Sequence, residues 1–82
     1  MNVERAALKG RLADAKQELQ RLEIRGNALM KQIHHCLDPY ADSVTDLDAD
    51  KAQVLLQDLV EIRNQAASLK AKIAEFEQDL NG

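Results

Sequence analysis

The sequence predicts an all-α protein, a long antiparallel two-helix hairpin of the coiled-coil kind. Two apolar registers and one break between them carry that prediction. The first register runs Leu8, Leu12, Ala15, Leu19, Leu22, Gly26, Leu29, Ile33 and Cys36. The second runs Ala52, Leu55, Leu59, Ile62, Ala66, Leu69, Ile73, Phe76 and Leu80. Alternating steps of three and four residues keep one stripe on one side of a helix, turned toward a partner helix. Asp38-Pro39 separates the two, and Pro39 is the single proline of the chain.

Each element has a local reason. Asn2 can cap the first helix, with Glu4 in the first turn where negative charge suits the helix dipole. That helix is expected over residues 2–37. Asp38 precedes a proline and is pushed out of the α region, so the helix stops there. Residues 38–45 form the connector. The second helix, expected over 46–80, opens within Thr45-Asp46-Leu47-Asp48, whose oxygens can accept from unpaired amide hydrogens. Asn81-Gly82 supplies the stop. Residues 1–82 thus make one helical hairpin.

The two registers also fix a pairing. With Cys36 facing Ala52, the layers become Ile33 with Leu55, Leu29 with Leu59, Gly26 with Ile62 and Leu22 with Ala66. Leu19 with Leu69, Ala15 with Ile73, Leu12 with Phe76 and Leu8 with Leu80 complete the set. Gly26, Ala66 and Ala15 each meet a larger residue, as layers of constant width require. Gly26→Leu is therefore expected to overpack its layer. Beside the seam this register places Arg11 near Asp79, Glu18 near Lys72, Lys9 near Glu77 and Glu23 near Arg63. Lys16 near Lys70 is the one conflict.

Composition narrows the function classes. Hydrophobic residues make up 45% of the 82 residues but aromatic ones only 2%, which is the make-up of long helices with a thin core. Such a chain is marginal alone, and self-association is the usual remedy; the expectation is a homodimer forming a four-helix bundle. A net charge of −3 with interleaved signs disfavours nucleic acid and anionic membrane surfaces, which need a basic face. The single cysteine fits a reducing compartment, and with no signal-like or membrane-length apolar run the expected location is the cytoplasm.

Candidate chemistry is thin. His34-His35-Cys36 are consecutive and point about 100° apart on a helix, so they cannot all ligate one ion. Asp46, Asp48 and Asp50 open like a calcium loop, but Lys51 stands where glycine and Gln57 where glutamate is needed. Helix capping accounts for those aspartates. Gly10, Gly26 and Gly82 are isolated, and no phosphate-cradling loop exists. No cofactor, metal or catalytic residue is expected, and an enzyme is not.

A second apolar stripe lies beside the seam, with Leu56, Val60, Ala67, Ala71 and Ala74 on the second helix and Ile24, Met30 and Leu37 on the first. Together with Tyr40 and Val44 in the connector, the residues Met30, Leu37, Leu56, Val60, Ala67, Ala71 and Ala74 form the expected interface, since patches of this kind mark association surfaces. Tyr40 is either an exposed anchor for a partner or a plug over the open end of the hairpin.

Leu37-Asp38-Pro39-Tyr40 at the turn and Asp46-Leu47-Asp48 entering the second helix, with the length and charged heptads, resemble the small helical early-region proteins of Mu-like transposable phages. The resemblance implies a compact non-enzymatic protein that binds and blocks a host protein, such as a transcriptional regulator or a pilus-assembly ATPase. It carries no binding residue over. The resulting expectation is a dimeric helical adaptor or inhibitor. The alternatives are a self-assembling structural coiled coil and a nucleic-acid-associated regulator using Arg21, Arg25 and Lys31.

Overall fold

The computed structural model describes residues 2–81, without the side chain of Asn2. The cap expected at Asn2 and the stop expected at Gly82 lie outside that description. Helix α1 spans Asn2–Cys36 and helix α2 spans Ala49–Asn81, with a single 3-10 turn, Val44–Asp46, between them. The two helices lie antiparallel along each other in a rod of 64 × 17 × 14 Å.

The seam coincides with the two apolar registers. Every residue of both registers is buried or half-buried, and the only other described residues so covered are Ala41 and Leu47 in the connector. Gly26 faces Ile62 as the layers require, since a β-carbon built on it would sit 3.7 Å from Ile62 Cγ2. The core is thin. Leu22, at 3% exposed, is its best-sealed large side chain, and Ala15, Cys36, Ala52 and Ile62 are the other hydrophobic residues counted as buried.

The connector is longer than the expected 38–45, and α2 starts at Ala49 rather than at 46. The reason is local hydrogen bonding. Ser43 Oγ accepts from Thr45 N at 3.2 Å, and its carbonyl accepts from Asp46 N at 3.0 Å, so Val44–Asp46 wind as a separate tight turn. Asp48 then caps α2, its Oδ1 accepting from Lys51 N at 3.3 Å and its carbonyl from Ala52 N at 3.0 Å. The first end is close to expectation, because Leu37 N still donates to Ile33 O at 2.9 Å. Beyond it, Asp38 Oδ1 accepts from Tyr40 N at 2.9 Å and Asp38 O from Ala41 N at 3.2 Å, a turn with proline at its second position. Asp48 N donates to Cys36 O at 3.1 Å and ties the two helix ends together. At the far end of the rod, Arg5 Nη2 donates to Leu80 O at 2.9 Å, placing a cation on an unpaired carbonyl of the α2 terminus.

Candidate interaction surface

The seam leaves two open flanks. On one, Glu23, Asn27 and Met30 of α1 stand beside Arg63, Ala67 and Lys70 of α2, around a groove of about 280 Å³ floored by Leu22, Gly26, Ile62 and Ala66. On the other, Glu18 of α1 stands beside Gln65, Ser68 and Lys72. The seven-residue repeat carries Leu37 to the flank of Met30, Leu56 to that of Arg63, and Val60 and Ala74 to that of Ala67. The first flank is therefore apolar toward the connector and lined by alanine and lysine toward the chain ends.

Of the nine residues expected at the interface, Met30, Leu37, Leu56, Val60, Ala67 and Ala74 share this flank. Met30 is 50% exposed, Leu37 43%, Leu56 51% and Val60 47%, all exposed beside the seam. Ala71 does not belong with them. It stands halfway between two seam positions, where a helix of 3.6 residues per turn points away from its partner, and Ile24 is displaced from the face for the same reason.

Tyr40 and Val44 sit apart at the tip of the rod. Tyr40 is 90% exposed and Val44 82%, so neither closes the hairpin. Ala41 and Leu47 do, being the covered residues of the connector. Leu47 gave no periodic signal, because it falls between the seam positions that the second register projects backward. A lone leucine among Asp46, Asp48 and Asp50 was the only available hint.

The expected ion pairs give way to others. Among the described residues, Lys16 Nζ pairs with Glu77 Oε1 at 3.3 Å and Arg21 with Glu18 at 3.8 Å within α1; the four expected cross-helix pairs do not form. Side chains lean toward the N-terminus of their own helix. In an antiparallel pair those leans converge only when the α2 residue lies C-terminal to the α1 residue's own layer. Glu77 is so placed for Lys16, whereas Lys70 is not, and the expected lysine conflict is relieved. Glu23 and Arg63 lean apart.

Cys36 is a free buried thiol in the seam, with His34 and His35 exposed beside it. Among the described residues no three His, Cys, Asp or Glu side chains are placed to hold one ion, and no helix is long and apolar enough to cross a membrane. Comparison with family models, curated proteins and solved structures returns no match.

Proposed function

We propose that this chain is a non-enzymatic protein-interaction module, a helical hairpin that pairs with a second copy and blocks a partner protein by occluding its surface. The observation that carries the reading is the outward-facing set of Met30, Leu37, Leu56 and Val60 on one flank, next to a connector that holds Tyr40 and Val44 in water. Apolar side chains gathered on one face of a thin-cored rod favour association. An aromatic ring held on a hydrogen-bonded turn is a suitable anchor for a second protein. The phage resemblance adds a class of partner, a host regulator or assembly ATPase.

The experiment is light scattering on the purified chain, then capture from a cell lysate by wild type and by Tyr40→Ala/Val44→Ala. A dimer whose capture of a discrete protein is lost in the tip variant supports the reading. A dimer that captures nothing supports the self-assembling coiled coil, and a monomer overturns both. Binding to DNA that falls steeply with salt would instead favour the regulator.

A further inference from the structure

Two quantities bear on what covers the apolar flank. The chain exposes 6643 Å², whereas a compact monomer of its mass exposes roughly 4,900 Å². The surplus is about twice the roughly 800 Å² that each partner contributes to a standard stable interface. Charge is also distributed unevenly along the rod. Asp38, Asp42, Asp46, Asp48 and Asp50 crowd the connector and the start of α2, with no lysine or arginine among residues 38–50. Toward the chain ends the same flank carries Lys9, Lys16, Arg63 and Lys70 against Glu23 and Glu77.

We infer that the occupant is a second copy of this chain, laid antiparallel along the flank with a two-fold axis crossing the rods between Gly26 and Met30. The inference rests on the self-association proposed above and adds its direction and register. A parallel pair would set the aspartate-rich connectors against each other and the lysines against lysines. The antiparallel pair sets each connector over the Lys16 and Lys70 of its partner, and like charges opposed in an interface are strongly disfavoured.

Packing gives the same axis independently. A groove of the flank lies beside Gly26, and the Met30 of the second copy reaches it when the axis lies between Gly26 and Met30. The midpoint between the connector and Lys16 falls at the same height. Val60 of the two copies then meet at the axis, and Leu56 of the second copy lies between Ile62 and Ala66. In such an isologous pair every contact is made twice.

The test is zero-length carbodiimide cross-linking of a mixture of isotopically light and heavy chains, with light scattering on the same sample. Within one hairpin the connector and Lys16 stand roughly 40 Å apart at 1.5 Å per residue, so any bond between them joins two molecules. Expected are mixed-isotope links from the connector aspartates to Lys16 or Lys70 in a species of dimer mass. Gly26→Leu, which fills the groove, should weaken the dimer at least tenfold while helix content is kept. A dimer cross-linked only from connector to connector, between Lys51 and Asp42, overturns the direction and leaves self-association standing. A dimer indifferent to Gly26→Leu overturns the register, and a monomer at all concentrations overturns both readings.

Discussion

Gly26 is the most informative single position in the hairpin. It sits mid-helix in α1, where glycine costs about 0.8–1.0 kcal/mol relative to alanine, yet it is buried. A methyl group added there meets Ile62 Cγ2 at 3.7 Å and Leu59 Cδ1 at 3.8 Å, which is ordinary contact with no displacement required. Gly26→Ala therefore gains the propensity difference and up to about 0.8 kcal/mol for a buried carbon. The sum is about 1–2 kcal/mol, or a melting temperature higher by about 4 °C or more. Gly10→Ala is the control. Nothing lies within 4 Å of a β-carbon at Gly10, so only the propensity part, about 1 kcal/mol, remains there. Thermal unfolding by circular dichroism at low protein concentration reads both. A Gly26→Ala protein melting below wild type would refute the close facing of Gly26 and Ile62. The leucine variant adds three further carbons to a buried layer whose β-carbon already lies in contact with Ile62 and Leu59. Gly26→Leu is expected to overpack that layer at a cost of about 1–3 kcal/mol, besides weakening the dimer.

Further outcomes follow from the same packing. Leu22→Ala removes the best-sealed large side chain, 3% exposed, and is expected to cost about 2–4 kcal/mol in urea unfolding; a loss under 1 kcal/mol would mean that the seam is not packed there. Asp48→Ala removes the acceptor for Lys51 N and should cost about 1 kcal/mol, with Asp46→Ala, outside α2, costing less; the reverse order would contradict the observed start of the helix. Lys16→Ala breaks an exposed pair with Glu77, so about 0–1 kcal/mol is expected, vanishing in high salt. A salt-independent effect would indicate that the lysine acts through something other than charge.

The seam was legible because a coiled coil writes its partner surface into the period of apolar residues. The pairing of layers followed from the same repeat, with Gly26 opposite Ile62, Ala66 opposite Leu22 and Ala15 opposite Ile73 each matching a small residue to a larger one. The ends of the elements were less legible. Thr45, Asp46 and Asp48 can all cap a helix, and choosing among them depends on Ser43 first closing its own tight turn, which involves side-chain rotamers rather than period. Among the ion pairs, the lean of side chains sends Lys16 to Glu77 rather than Lys70 and parts Lys9 from Glu77 and Glu23 from Arg63. It does not account for Arg11 and Asp79 or Glu18 and Lys72. The sequence left Tyr40 open between anchor and plug, and the turn decides between them. Asp38 bonds the amide of Tyr40 and turns the chain so that the smaller Ala41 is covered and the ring stays in water.

The central claim is that one chain folds back on itself in this register. Spin labels at Gln17 and Ala71, both exposed and on the outer sides of their helices at the same height, test it with both labels outside the seam. With labelled protein diluted in excess unlabelled chain and Cys36 replaced by alanine, double electron–electron resonance should give a distance of about 25–35 Å, set by a helix spacing of about 10 Å plus the side-chain arms. A distance near 80 Å, the span of the intervening residues as continuous helix, would show an opened chain that pairs its registers between molecules.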